Sequence, residues 1–240
     1  MLDTTSILTK SSNVGVSLIS RRLSNAQLHD TLVRLGVGRV TGSGFPGERS
    51  GAIPSIARWS GTTKQTMAYG YGLSMTTLQL ANAYATLANH GVRVQPRFER
   101  GTPRVCSRAV PAAVADQVMR MLRTVTAPGG TAAKAQIAGY SVAGKTGTAR
   151  KACAGGYERR YMFLFAGIAP AEHPRYAVAV VVDDPDTRKG HYGGGSVAAP
   201  IFSRVMARVL GLSDVAPDAA PITSGTPAAR REGGGGAAGR

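Results

Sequence analysis

Residues 139–150, GYSVAGKTGTAR, contain the amino acids whose types and spacing point most directly to chemistry. Counted from Gly139, the letters follow glycine, four residues, then Gly-Lys-Thr, the pattern of a loop that surrounds nucleotide phosphates. Counted from Lys145, they read Lys-Thr-Gly-Thr, an ammonium group beside two hydroxyl groups that suit a carboxylate ligand. One lysine cannot serve both functions, so the flanking elements must decide between them.

The phosphate-loop interpretation requires a hydrophobic strand before the loop and a helix after it, because phosphates bind at the helix N-terminus. The preceding TAAKAQIA makes a poor strand, and the following GTARKACAGGYERR has several glycines and no apolar stripe. One feature favours nucleotides: the apolar VAVVVDD ends at Asp183 and Asp184, like the strand that holds magnesium in such enzymes. A nucleotide hydrolase using residues 139–146 with Asp183 therefore stays as a second hypothesis.

The alternative interpretation places Lys145 on a strand at the edge of a cleft. An edge strand can bind an extended peptide through its backbone, while the lysine ammonium and a threonine hydroxyl meet the terminal carboxylate. Ser11-Ser12-Asn13 supplies a Ser-x-Asn element near the start of the chain. Ser-x-Asn alone is a weak signal, since Ser and Asn are frequent in loops and caps. Combined with Lys-Thr-Gly-Thr in a helix-then-strand order, it favours peptide binding.

Composition indicates one globular domain with a tail, since 240 residues that are 43% hydrophobic suffice for one full core. The net charge of +16 attracts polyanions, but the basic residues do not alternate with aromatic residues, so no nucleic-acid partner is expected. The histidines and cysteines lack metal-ligand spacing, and we expect no metal and no cofactor. The sequence contains neither an apolar run of roughly 18 residues nor a leader, so we expect no anchor or export signal in it.

Helical periodicity appears first over residues 25–35, between a Ser24 cap and a stop at Gly36. The glycine-rich residues 36–51 predict a shaped loop, of a kind that often forms the wall of a site. A second helix, over 76–91, begins with a threonine cap and is expected to bury Leu80, Tyr84, Leu87 and Ala88. A third, over 111–126, is expected to bury Val114, Val118, Met121, Leu122 and Val125.

Beyond Ala138 the periodicity becomes typical of strands. YSVAGKTGTAR (140–150), YMFLFAGIAP (161–170) and RYAVAVVVDD (175–184) are rich in β-branched and aromatic residues and are separated by short breaks. Consecutive strands with short joins predict an antiparallel meander. A capped helix over 193–211 would cover this sheet with Ile201, Phe202, Val205, Met206 and Val209. From 213 to 240 the Ala/Pro/Gly-rich chain has no periodicity, which predicts a disordered tail.

Five segments in order carry a family resemblance: LTKSSNVGVS, GERSG, YGYGLSMTTLQLANAYATLANHG, VAGKTGTARK and YGGGSVAAPIFSRVM. They resemble the class B penicillin-binding proteins, specifically the septal peptidoglycan transpeptidases of cell division. The similarity runs from about Leu8 to Leu210. It implies an α+β fold over residues 1–212, an incomplete transpeptidase domain of the serine β-lactamase-like type. A helical part would be followed by a three-strand antiparallel meander and a covering C-terminal helix.

The family's chemistry is acyl transfer. A serine within Ser-x-x-Lys attacks the penultimate D-alanine of a stem peptide, releases the last D-alanine and passes the acyl group to the amine of a neighbouring stem; β-lactams imitate the donor. By resemblance, Ser11 relays a proton, Asn13 holds the substrate amide and Lys145 sets the local electrostatics. The resemblance also implies that Thr146 and Thr148 orient the substrate carboxylate and that Gly147, without a side chain, lets the peptide approach the strand. Tyr69 and Tyr71 would form the pocket wall, and Arg150 would line its rim. For the two tyrosines, core packing is an equal alternative.

The sequence departs from the family at the nucleophile. No serine is followed by lysine three positions later, and the nearest matches are Thr131 with Lys134 and Thr148 with Lys151. In the family that tetrad precedes Ser-x-Asn by several tens of residues, together with strands that would pair with residues 175–184. Without the attacking oxygen only binding and oxyanion stabilisation are left, so we expect the chain alone to be inactive. We also expect residues 175–184 to form an unpaired, aggregation-prone sheet edge.

Three functions remain open at this stage. The first is the C-terminal part of a septal D,D-transpeptidase, whose partners would be stem peptides ending in D-Ala-D-Ala, β-lactams and division-complex membrane proteins. The family acts at the periplasmic face of the inner membrane, whereas this chain as it stands would be cytoplasmic. The second is a non-catalytic binder of stem peptides or division partners. The third is the nucleotide hydrolase.

Overall fold

The structure, a computed structural model, describes residues 1–99, 101, 105–153, 155–187 and 192–219. The α-helices in this part of the chain are Thr4–Thr9 (α1), Asn13–Ser20 (α2), Asn25–Arg34 (α3), Thr63–Ala68 (α4), Thr77–Ala88 (α5), Ala112–Thr126 (α6) and Ala198–Leu212 (α7). The strands are Val92–Val94 (β1), Cys106–Arg108 (β2), Ala143–Cys153 (β3), Gly156–Ala169 (β4) and Tyr176–Asp183 (β5). Short 3₁₀ turns lie at Ile56–Arg58 and Ala133–Ala135. None of the described helices is both long and apolar enough to cross a membrane.

The predicted three-strand antiparallel meander is confirmed, and with it the α+β fold. The strands β3, β4 and β5 pair in that order, so β4 is central. Lys145 lies opposite Ala166, and the ladder continues without a shift to Arg150 opposite Tyr161. Within the described residues β3 and β5 each pair on one side only. The backbone of β3 from Lys145 onward therefore lies at a sheet edge, and so does that of β5.

The strands β3 and β4 extend beyond the predicted ranges of 140–150 and 161–170. The added residues form a hairpin arm in which Ala152 pairs with Tyr157 and Cys153 with Gly156. This arm is polar and mostly exposed, so it lacks the apolar alternation on which the prediction depended. The two-strand sheet β1–β2 was also not predicted, because three residues per strand are too few to show a period.

The sheet lies between α7 on one face and α5 with α6 on the other. On the α7 side, Phe165 of β4 packs edge-on against Phe202, with ring centroids 4.7 Å apart. On the other side, Ile168 of β4 packs with Met119 and Leu122 of α6. Alternate residues of β4 thus face opposite layers, as the strand period requires.

Two predicted helix faces were partly wrong. Val114 of α6 and Val205 of α7 were expected to face inward, but they are 45% and 44% exposed. The observed buried residues are Ala115, Met119, Leu122, Val125 and Thr126 in α6, and Ala198, Ala199, Phe202, Met206 and Leu210 in α7. Both true stripes begin at small alanines, which let the helix approach closely. A pattern search weighted toward large apolar side chains passes over them.

Residues 213–219, at the start of the predicted tail, contact the rest of the domain. Val215 packs against the core cluster beneath α7, and its carbonyl accepts a hydrogen bond from the Tyr140 hydroxyl at 2.6 Å. The Asp218 carboxylate accepts from the Ser141 amide at 2.7 Å. Residues 213–219 therefore pack on the rest of the domain through one apolar side chain and several hydrogen bonds, a combination that periodicity cannot reveal. Residues 220–240 lie outside the described residues.

Candidate active site

A cleft of about 1040 Å³ lies between the helices and the edge of β3. The predicted site residues that line it are Ser11, Asn13, Tyr69, Tyr71, Lys145, Thr146, Gly147 and Thr148. The predicted rim residue Arg150 instead lines an adjoining cavity. Among the described lining residues the cleft has Lys134 and Lys145 as charged groups and no carboxylate. The fold thus gathers the predicted motifs around a space suited to an anion.

Ser11 lies in the turn between α1 and α2, where its backbone has the left-handed φ of 54°. Its neighbour Ser12 caps α2, accepting a hydrogen bond from Gly15 N at 3.1 Å. The turn is tied to the rest of the molecule by Lys10, whose Nζ donates to the Gly129 carbonyl at 2.9 Å. Left-handed backbone at a serine is costly and persists only where its surroundings impose it. These contacts aim the Ser11 hydroxyl into the cleft and leave Asn13 at the first turn of α2.

Lys145 is the charged centre of the cleft. Its Nζ donates to Ser11 Oγ at 2.7 Å and to the Thr146 carbonyl at 3.1 Å. The two partners in the first bond are 134 positions apart in the sequence. Burial lowers the pKa of Lys145 to about 8. Lys145 is therefore mostly protonated near neutral pH, but it loses its proton at a lower pH than a lysine in water does.

The hydroxyls of Thr146 and Thr148 are already engaged by neighbouring segments. Thr146 Oγ1 lies 3.1 Å from Thr131 Oγ1, so the two share a hydrogen bond. Thr148 Oγ1 accepts a hydrogen bond from Gly194 N at 3.3 Å. Each hydroxyl therefore has a defined orientation at the edge of the cleft.

Tight packing leaves no room for a side chain at Gly147, a constraint that sequence reasoning missed. A Cβ at this position would lie 2.6 Å from Leu164 Cδ1 on the adjacent strand. Gly194 approaches from the other side so closely that a Cβ there would lie 2.7 Å from the Gly147 carbonyl oxygen. The segment from Tyr192 to Ser196 is thus held directly against β3. The expected close approach of a peptide to Gly147 stays a prediction.

Tyr69 and Tyr71 form part of the cleft wall. Their rings pack edge-on with centroids 5.9 Å apart. The Tyr71 hydroxyl accepts a hydrogen bond from Arg150 N at 3.0 Å, and its ring packs against Tyr157 at 5.2 Å. The Arg150 guanidinium lies over the Tyr161 ring, 6.0 Å from its centroid. Tyr71 therefore links the helical part of the molecule to the hairpin arm.

Sequence reasoning missed three contributors to the site: Thr131, Tyr192 and Gly194. Thr131 gave no signal beyond its partial Thr-x-x-Lys match, because its value lies in a contact with a strand far along the chain. The sequence pattern places GGGS at 193–196 at the start of the predicted helix, whereas α7 begins at Ala198. Three consecutive glycines were a usable signal, since they let one backbone pack directly on another.

The phosphate-loop interpretation is wrong. Lys145 and Thr146 lie within β3, which continues to Cys153, so no helix follows the Gly-Lys-Thr segment as a phosphate loop requires. The proposed magnesium ligand Asp183 instead accepts from Lys151 Nζ at 2.8 Å. Phosphate binding in that mode needs the free N–H groups of a helix end, which this strand cannot provide.

The geometry of the cleft suits recognition of a peptide carboxylate. A half-buried ammonium, two oriented hydroxyls and a free strand edge converge within one cavity. The strand edge can pair with an extended peptide, and the ammonium can bind its terminal carboxylate. The Lys145–Ser11 hydrogen bond also connects a titratable group to a hydroxyl, which is the arrangement needed to pass a proton.

Comparison with known proteins places this geometry in a family. Residues 1–207 match the penicillin binding protein transpeptidase domain. The chain is 42% identical over 226 residues to peptidoglycan D,D-transpeptidase FtsI of Escherichia coli K12, an alignment that covers 93% of this chain and 38% of the relative. Its identity to penicillin-binding protein PbpB of Mycobacterium tuberculosis is 38% over 240 residues, covering 91% and 35%. The chain thus spans less than two-fifths of the length of these two relatives.

Solved structures agree. The transpeptidase domain of Burkholderia pseudomallei penicillin-binding protein 3, solved without ligand, superposes with a TM-score of 0.84 and 34% identity, covering 91% of this chain and 66% of that one. Penicillin-binding protein 3 of M. tuberculosis in complex with ampicillin gives a TM-score of 0.79 and 36% identity, covering 92% and 53%. The predicted resemblance is confirmed in both sequence and fold: this chain belongs to the penicillin-binding-protein transpeptidase family.

Proposed function

We propose that this chain forms the substrate-recognition part of a peptidoglycan D,D-transpeptidase site that acts in septal cross-linking. Its ligands are stem peptides ending in D-Ala-D-Ala and the β-lactams that imitate them. The observation that carries the proposal is the contact between Lys145 Nζ and Ser11 Oγ, 2.7 Å long, beside the free edge of β3. It unites a carboxylate-binding cation, a proton-carrying hydroxyl and a peptide-binding strand.

Each residue has a stated part in this proposal. The Lys145 ammonium and the hydroxyls of Thr146 and Thr148 bind the terminal carboxylate. The backbone of β3 pairs with the peptide as an added strand, and Asn13 holds the substrate amide. Ser11 carries a proton between the attacking group and the leaving amine. Tyr69 and Tyr71 wall the pocket on the helical side.

Acyl transfer needs a nucleophile that these residues do not supply in the family's form, since no serine here is followed by lysine at the third position. Acylation therefore requires the Ser-x-x-Lys element from outside these 240 residues. The chain alone binds its ligand reversibly and forms no ester. In a whole transpeptidase the reaction takes place on the periplasmic side of the inner membrane, with division-complex membrane proteins as partners.

Calorimetric titration of the purified chain with ampicillin tests the recognition step. We expect saturable binding that weakens about 10- to 100-fold in Lys145→Ala, because a hydrogen bond to a charged group contributes about 1.5–3 kcal/mol. The matched control is Lys64→Ala. Lys64 Nζ also donates to an oxygen, the Leu23 carbonyl at 2.6 Å, but lies outside the cleft, so this variant is expected to bind normally.

Intact-mass measurement after incubation with ampicillin tests the second half of the proposal. We expect an unchanged mass for the chain and for both lysine variants. Equal calorimetric affinities for the two variants would contradict the role of Lys145. An adduct that disappears in Lys145→Ala would show that another hydroxyl, such as that of Ser11, serves as the nucleophile, and the reversible-binding account would be wrong.

A further inference from the structure

A second cavity, of about 850 Å³, adjoins the cleft beyond Tyr71. The two cavities share Gly70, Tyr71 and Leu73 in their walls. The strand β3 runs along both of them, with residues 145–148 in the first and residues 149–152 in the second. The volume of the second cavity lies within the range of about 300–1,000 Å³ that is usual for ligand pockets. A ligand in the second cavity would therefore lie next to a ligand in the first.

Tyr71 separates the two cavities along the strand. Its hydroxyl accepts the hydrogen bond of Arg150 N, at 3.0 Å. That N–H points to the free edge of β3, where an added peptide strand would otherwise bind it. A peptide paired with residues 145–148 must therefore stop before Arg150. The geometry favours two ligands that meet at Tyr71 over one continuous strand.

The far wall of the second cavity is held firmly in place. Ala52 and Ser74 exchange two backbone hydrogen bonds, each 2.9 Å long, which join this wall to the Tyr71 segment. Trp59 Nε1 donates to the Pro54 carbonyl at 3.1 Å and closes the turn between them. The 3₁₀ turn Ile56–Arg58 within this loop presents Arg58 to the cavity. Fixed walls lower the cost of ordering a bound ligand.

The charge of the cavity is entirely positive among its described lining residues, which include Arg58, Arg150, Lys151 and no carboxylate. Lys151 is paired with Asp183 at 2.8 Å, and Arg150 lies over the Tyr161 ring. Arg58 is exposed and forms no ion pair with any residue that the structure describes. It is therefore the cation most available to a ligand carboxylate.

We propose that this second cavity binds the acyl-accepting peptide, with its carboxylate at Arg58. The inference rests on the proposed function, because it assumes that a donor peptide occupies the first cavity. A peptide anchored at Arg58 can extend across Tyr71 and bring its amine to the donor carbonyl beside β3. The two cavities would then hold the two peptides that a cross-linking reaction must join.

The test is a titration with a synthetic stem pentapeptide that has a free side-chain amine and a free terminal carboxylate. The peptide is added to the whole chain after saturation with ampicillin, which fills the first cavity. We expect binding to persist and to weaken about fivefold in Arg58→Gln, while the affinity for ampicillin stays within about twofold. The control is Arg34→Gln, which makes the same charge change at an exposed position on α3 outside both cavities.

Three results would overturn the inference: no peptide binding under any condition, loss of peptide binding at saturating ampicillin, or equal peptide affinity in the two arginine variants. If ampicillin itself does not bind, the proposed function fails, and the peptide titration without ampicillin still decides the question. Dependence on Arg58 in that titration supports the cavity as a carboxylate-binding site. If the peptide affinity does not depend on Arg58, the proposed carboxylate-binding site is wrong.

Discussion

The buried amide of Gln79 offers a sharp test of how the loop 36–51 is held beside the site. Gln79 is 1% exposed and stands at the third position of α5, where its Oε1 accepts the Thr76 amide at 2.6 Å. Its Nε2 donates to the carbonyls of Arg39 at 2.6 Å and Ser50 at 2.7 Å, with a longer contact of 3.2 Å to Gly36. One side chain thus joins the helix to both ends of the loop.

Replacing Gln79 with glutamate keeps the shape and the cap but exchanges the donor nitrogen for an acceptor. The Arg39 and Ser50 carbonyls then lose their donor and face a carboxylate oxygen. Each unsatisfied buried acceptor costs about 1–3 kcal/mol, so we expect a loss of roughly 3–5 kcal/mol in the free energy of unfolding. That is a large part of the total of about 5–15 kcal/mol that is typical of a domain.

The chain contains a matched control in Gln27, which makes the same capping box in α3. Its Oε1 accepts the Ser24 amide at 2.8 Å, but the residue is exposed. Gln27→Glu is expected to change the free energy of unfolding by less than about 0.5 kcal/mol, since a carboxylate in the first turn also favours the helix dipole. Urea unfolding of both variants at pH 7 measures the difference.

Acidification provides a second check on the same variant. Protonation of the introduced carboxyl in Gln79→Glu restores one hydrogen-bond donor, and burial among carbonyls raises its pKa. The destabilisation is therefore expected to shrink between pH 7 and pH 5. Equal unfolding curves for Gln79→Glu and Gln27→Glu at pH 7 would refute the reasoning, because the three carbonyl contacts would then contribute nothing.

Three further predictions concern the site and the sheet. Because the pKa of Lys145 lies at about 8, ampicillin affinity measured by calorimetry should fall about tenfold from pH 7 to pH 9, and a flat affinity profile would contradict this. Between pH 8 and 10.5 the unfolded chain keeps the lysine proton that the folded chain has lost, so the free energy of unfolding of the ligand-free chain should rise with pH over this range. Gly194→Ala places a Cβ 2.2 Å from the Leu164 carbonyl oxygen, so we expect it to lower the free energy of unfolding by about 1–3 kcal/mol in thermal unfolding and to weaken ampicillin binding. Its control, Gly211→Ala on α7, has open space around the new Cβ and should bind ampicillin normally, with a free energy of unfolding up to about 1 kcal/mol higher. Val181→Lys, at a 38% exposed position on β5, should slow aggregation measured by light scattering, with little change in the free energy of unfolding. Unchanged aggregation would show that the chains do not associate through this sheet edge.

The sheet and the longer helices were predictable because their signals are local. Strand runs of β-branched and aromatic residues identified the meander, and the caps at Ser24 and Thr76 identified two helix starts, both confirmed as capping boxes. The short helices α1 and α2 were not predicted. They have six and eight residues, too few for a period, and depend on packing such as that of Gly15 against Ile7.

The site was predictable only where a motif carried it. Lys-Thr-Gly-Thr and Ser-x-Asn were found as sequence patterns, but their meeting depends on a turn with left-handed backbone at Ser11. Thr131 and Gly194 contribute through contacts across the fold, which no linear pattern encodes. The loop 36–51 was expected to form a wall of the site, yet only Val37 of that range lines the cleft. Its glycines serve instead to wrap the loop around Gln79 and Glu48.

The most direct test of the central claim is to observe which backbone amides respond when ampicillin binds. Nuclear magnetic resonance of the isotope-labelled chain reports each amide separately. We expect saturable shifts at Thr146, Gly147 and Thr148 on the edge of β3, and none at Ala177 or Val181 on the opposite edge of the sheet. Saturation that leaves the β3 amides unmoved would show that the ligand does not bind along this strand, and the proposed recognition site would be wrong.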